Sequence, residues 1–118
     1  MNTNSKKGLG GILSSVLLII LLFNIFGCEN YKEEAEKYVK QDVYRELGVV
    51  ADKFDTEVIH KDGDERLVAV RYAVDGGDWM GSYCVYMSGE YVRNCTTMLP
   101  SGYDFNEHLE ELIALFGI

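Results

Sequence analysis

Tyr83-Cys84-Val85-Tyr86-Met87-Ser88-Gly89-Glu90-Tyr91-Val92-Arg93-Asn94-Cys95 reads as two strands joined by a tight turn. Both arms are rich in aromatic and β-branched residues. Gly89-Glu90 suits a two-residue type II′ turn, whose first position wants glycine. That turn dictates a register: Ser88 opposite Tyr91, Tyr86 opposite Arg93, and Cys84 opposite Cys95. Directly opposed residues hold their Cβ atoms about 4.5–5.5 Å apart, close to the span of a relaxed disulfide. The spacing therefore predicts a Cys84–Cys95 bridge.

Upstream of this hairpin, Glu57-Val58-Ile59-His60 reads as a first strand and Asp62-Gly63-Asp64 as its turn. Arg66 to Val74 returns, with Val68, Val70, Tyr72 and Val74 alternating against Ala69, Arg71 and Ala73. Asp75-Gly76-Gly77-Asp78 makes the next turn, leading into a strand from Trp79 to Met87. Downstream, the fourth strand runs to about Met98 before Pro100-Ser101-Gly102 breaks it. The meander is flanked by helices. Asn30 caps a helix from Tyr31 to Leu47, with Gly48 as its stop. Tyr31, Ala35, Tyr38, Val39, Val43 and Leu47 form its apolar side, and Glu33-Lys37 and Glu36-Lys40 pair on its wet side. Asp104 and Glu107 form a capping-box variant before a short helix striped by Phe105, Leu109, Leu112, Ile113 and Phe116.

The order of helix, four-stranded antiparallel meander and short C-terminal helix predicts an α+β domain of two layers. Both helices are expected on one sheet face, against Tyr83, Val85, Met87, Val92 and Met98. This layout resembles the cystatin-like domains, in which a sheet wraps a helix.

Ahead of this domain, Lys6 and Lys7 precede a stretch from Leu9 to Phe26 that carries no charge. Leu9 to Gly27 would span roughly 28 Å as a helix, just enough for a hydrocarbon core. The basic residues before it and Glu29, Glu33, Glu34 and Glu36 after it favour an inside N-terminus and an outside C-terminus. Ile25-Phe26-Gly27-Cys28 resembles the lipobox of bacterial lipoproteins, with Phe26 where that family carries a small or β-branched residue. The resemblance implies that Cys28 is acylated and becomes the mature N-terminus. An uncleaved transmembrane helix ending at Cys28 is the alternative. Residues 1–27 are thus a signal peptide or anchor, and residues 28–118 an extracytoplasmic domain held at the cell membrane or envelope. Lipidation of Cys28 also accounts for an odd count of three cysteines and leaves Cys84 and Cys95 as a pair.

The whole chain holds 11 Lys and Arg against 19 Asp and Glu, a net charge of −8. Lys6 and Lys7 are the only charged residues before Cys28, so the exported part carries −10. Such acidity repels phosphate backbones and excludes nucleic acid as a natural partner.

No constellation for catalysis, metal or cofactor stands out. His60 and His108 lack ligand or triad spacing, and the acids of the Asp62-Gly63-Asp64 and Asp75–Asp78 turns lack a calcium loop. The expected function is non-enzymatic contact with a protein or peptide, through a sheet face carrying Tyr86, Tyr91 and Arg93 with Trp79 near its edge. The alternative is a small-ligand or ion-binding module that uses a pocket between helix and sheet.

Overall fold

The computed structural model describes residues 31–118. The leader, Cys28 and the Asn30 cap lie outside the described residues. Helix α1 covers residues 31–47. The strands are β1 (Ala51–Asp62), β2 (Glu65–Val74), β3 (Trp79–Ser88) and β4 (Tyr91–Cys95), followed by helix α2 (Leu109–Phe116). The strands form one antiparallel sheet in the order β1-β2-β3-β4. The α+β class, the meander and the two flanking helices are as the sequence predicts. No helix among the described residues is long and apolar enough to cross a membrane.

Helix α1 stops at Gly48, whose φ of 73° suits glycine and whose N–H bonds the Tyr44 carbonyl at 2.8 Å. Ala35, Val39 and Val43 are fully buried, whereas Leu47 is 46% exposed. A ladder of i+4 steps rotates about 40° per step, so Leu47 has rolled off the face that Ala35 begins. Glu36 does not pair with Lys40 but accepts a 2.5 Å hydrogen bond from Thr56 Oγ1, which ties α1 to β1.

The turns follow local chemistry. Asp75 and Gly76 sit at φ 56° and 66°, with the Gly77 N–H on the Val74 carbonyl at 3.0 Å, the pattern of a type I′ hairpin. Gly89 takes φ 63° at the first position of its turn, as expected. β1 begins at Ala51, well before the expected Glu57. Lys53, Asp55 and Glu57 alternate with Phe54, Thr56 and Val58, a polar alternation that suits an edge strand.

Both faces of β2 and β3 are buried, and this overturns the two-layer expectation. Val68, Val70, Tyr72, Tyr83, Val85 and Met87 pack under α1, joined by partly buried Val92 and Met98. Leu67 and Cys84, on the other face, pack under Leu112 of α2 with Phe105, Ile113 and Phe116. The helices therefore lie on opposite faces, in three layers. The physical reason is the near-continuous burial of β3 from Gly81 to Val85, which demands cover on both sides. After β4 the chain bridges Ser82 through Leu99, with N–H···O bonds of 2.9 and 2.8 Å, then turns at Pro100–Tyr103 to reach the second face. A Cβ on Gly81 would lie 2.9 Å from the Tyr72 hydroxyl and 3.1 Å from the Leu99 carbonyl oxygen, so this crossing requires glycine.

The predicted Cys84–Cys95 bridge is also overturned: both thiols are free. The turn register holds at Ser88↔Tyr91 and Met87↔Val92, but a bulge then slips the pairing to Tyr86↔Asn94 and Val85↔Cys95. Arg93 is the extra residue. A slip of one residue reverses the face of everything beyond it. Cys84 consequently points under α2, while Cys95 packs against the α1 core. The backbone of Thr96, not Cys95, meets Cys84, with N–H···O at 3.0 Å.

Candidate functional site

The α2 face of the sheet is covered unevenly. One end is sealed by Leu112, Phe105, Ile113 and Phe116. At the other end Lys53, Asp55 and Glu57 of β1 and Arg71 of β2 emerge on the same face, because Lys53 pairs with Ala73, Asp55 with Arg71 and Glu57 with Ala69. Arg71 donates to Asp55 Oδ2 at 2.7 Å. Its guanidinium carbon also lies 5.1 Å from the Trp79 ring centre, and Lys53 Nζ lies 4.5 Å from the same ring. Each such cation–ring contact at a half-exposed site contributes about 0.5–1 kcal/mol. The cluster holds Trp79 half-buried and keeps two cations and one carboxylate in fixed positions.

Beside it runs a groove of about 360 Å³. Its floor is Ala69 and its sheet wall is Asp55, Glu57, Ile59 and Arg71. The opposite wall is the crossing segment, with Tyr103, Asp104 and Phe105. The Tyr103 and Phe105 rings meet edge-on at 4.9 Å, and Tyr103 stacks on His108 at 4.9 Å, which stiffens that wall. Asp104 Oδ1 accepts the Glu107 N–H at 3.1 Å, so the predicted cap is half formed while α2 itself begins later, after His108. Glu57 makes no ion pair with any described residue. The groove thus combines aromatic walls with an unspent negative charge.

The sequence-predicted contact residues are not gathered in one place. Trp79 and Tyr86 lie on β3 about 23 Å apart at a strand rise near 3.3 Å per residue. Tyr86 faces Asn94, not Arg93, and its ring lies 5.7 Å from that of Phe116. The expected placement of Tyr86 opposite Arg93 is therefore lost, and Tyr86 packs under α2 instead. Tyr91 is 72% exposed, and Arg93 is exposed at the bulge.

A second cavity, of about 290 Å³, lies on the α1 side by Tyr38, Asp42, Arg45 and Cys95. Asp42, almost fully buried, accepts the Tyr83 hydroxyl at 2.6 Å and forms an ion pair with Arg45. Sequence reasoning passes over Asp42, since an acid within an acidic helix resembles its solvated neighbours. The signal was its place directly before Val43 on the buried stripe. Burial raises the Cys95 thiol, an effect opposed by the Tyr38 hydroxyl and Arg45. Burial, with the nearby Cys95, pushes Cys84 up to about 12. Neither is an activated nucleophile. Among the described residues no group of three or more His, Cys, Asp or Glu side chains is placed to hold a metal ion.

No family model, curated protein or solved structure matches the chain.

Proposed function

We propose that this chain is a membrane-tethered extracytoplasmic accessory domain that works by contact with a protein or peptide and carries out no reaction of its own. The observation that carries this reading is the α2-face groove. It is open, half walled by charge and half by Tyr103 and Phe105, and flanked by the Trp79 cation cluster. Tryptophan, tyrosine and arginine side chains are the residue types most often found as anchors of protein contacts.

The tether rests on Lys6-Lys7, the apolar stretch from Leu9 to Phe26, and Gly27-Cys28, which resembles a lipobox. Acylated Cys28 or a spanning helix holds the domain on the extracytoplasmic side, and its acidity disfavours nucleic acid. Cys84 and Cys95 lie on opposite sheet faces and are both free. The order of α1 and four meander strands resembles cystatin-like domains, and α2 on the second face departs from them.

The test is a photo-crosslinking residue at Asn106, which lines the groove, in the full-length chain in its native membranes. A discrete protein adduct is expected at Asn106, none from exposed Glu33 on α1, and loss of the adduct in Trp79→Ala. Equal adducts at both positions, or none, would defeat the reading.

The cavity beside Cys95, Tyr38 and Arg45 favours a second reading, a small-ligand module. Ligand-dependent protection of Cys95 from alkylation in the full-length chain would distinguish it.

A further inference from the structure

We propose that the outer edge of β1 accepts an extended, basic peptide as a fifth strand, with a lysine or arginine seated beside Glu57 in the α2-face groove. This rests on the protein-contact reading and names the kind of partner.

The edge itself is the first observation. Among the described residues β1 pairs only with β2, so its outer N–H and C=O groups have no strand partner. A row of such groups is a template for strand addition. β1 is the longest strand, at 12 residues, and bulges interrupt it near both ends, between Ala51 and Lys53 and between Val58 and His60. Between them Lys53–Val58 is regular. The bulges and charges deter indiscriminate pairing and leave one short, straight docking segment.

Side-chain alternation supplies the second observation. Along Lys53–Val58, Lys53, Asp55 and Glu57 point to the α2 face, while Phe54 and Val58 pack against the α1 core and Thr56 bonds Glu36. An added strand lies about 4.8 Å from β1 and shares its alternation. Its residues on the α1 side would extend the apolar surface of Phe54 and Val58. Its residues on the α2 side would stand beside Asp55 and Glu57, with Cβ atoms about 4.5–5.5 Å away.

Charge decides what those residues are. Asp55 is already held by Arg71, and Asp104 caps the Glu107 N–H. Glu57 has no ion-pair partner among the described residues and faces the groove with the Tyr103 and Phe105 rings close by. A lysine or arginine beside it gains a carboxylate and aromatic faces together. An acidic strand meets repulsion there. The net charge of −10 from Cys28 onward favours the same partner at long range. The recognised segment therefore alternates basic with apolar residues.

The experiment uses the full-length chain in phosphatidylcholine nanodiscs and an acetylated, amidated heptapeptide alternating valine with lysine. Its counterpart carries glutamate for lysine. The lysine peptide should bind at least about tenfold more tightly than the glutamate peptide, and Glu57→Lys should remove about tenfold of that affinity. Glu33→Lys, on exposed α1 surface, should leave binding unchanged. Hydrogen exchange should slow within Lys53–Val58 on peptide addition and stay unchanged in Tyr91–Cys95. Equal binding of both peptides, undiminished binding by Glu57→Lys, or protection mapping elsewhere would overturn the proposal. So would a β1 edge already protected before peptide is added. If the peptide fails while the Asn106 adduct persists, the strand-addition proposal falls and the protein-contact reading stands. Loss of the adduct as well removes both.

Discussion

On the α1 face of the sheet Val68, Val70, Tyr83 and Val85 lie fully buried under Ala35, Val39 and Val43. On the opposite face the same strands present Leu67 and Cys84 under α2 at one end, then Arg71 beside Trp79 and an open groove at the other. The difference shows how one small sheet divides its labour. A filled, apolar face supplies most of the hydrophobic stabilisation. That leaves part of the second face free to hold charges and rings in positions that would be costly in a core and useful at a contact.

The comparison breaks first if core truncation on the α1 face is tolerated. Met87→Ala should cost about 2–5 kcal/mol in urea denaturation, because the methionine side chain is fully buried and the void collapses only in part. A next-largest effect is expected at the one buried acid of that face. Asp42→Ala leaves the Tyr83 hydroxyl without its 2.6 Å acceptor and should cost about 1–3 kcal/mol by the same measurement. On the charged end of the other face, Arg71→Ala removes a half-exposed ion pair and one cation–ring contact and should cost at most about 2 kcal/mol, while abolishing the Asn106 adduct. A large stability loss with the adduct intact would reverse the roles assigned to the two faces.

The thiols sharpen the comparison without touching stability. Iodoacetamide near pH 8 should label Cys95 on the α1 side well before Cys84, which is buried and pushed up to about 12. Reductant should change neither the melting transition nor the mass of unlabelled protein. The smallest effect concerns α2. Glu111 lies 2.7 Å from His108 Nδ1 and holds the imidazolium, raising its pKa above the ordinary 6.5. The folded value exceeds the unfolded one, so this contribution is fully present below pH 6.5 and is lost as pH rises through the raised value. Amide protection factors in α2, corrected for the intrinsic rise of exchange with pH, should fall slightly over that window, and Glu111→Gln should remove the fall.

How far the chain could be read depends on the element. The α1 stripe, three turns and the apolar set Tyr83, Val85 and Met87 follow from periodicity and glycine placement alone. The first half of β1 did not, because Asp52, Lys53 and Asp55 mask strand propensity at an edge where water satisfies them. Half of the candidate site was legible: Trp79 stands out by residue type, but its partners Lys53 and Arg71 lie on other strands. Tyr86 reads as an exposed anchor until Phe116 arrives from the end of the chain to cover it.

The sequence by itself determined the class, the strand order, the α1-facing core and the acidic charge, since these depend on local turn chemistry, period and composition. Only the tertiary structure decided that Cys84 and Cys95 stay unpaired, on which face α2 lies, and the groove itself. The physical reason is that each depends on a backbone event which leaves little local trace. The bulge at Arg93 turns one cysteine away from the other. The crossing at Leu99–Pro100 carries the last helix to the second face of the sheet and raises the groove wall beside Glu57.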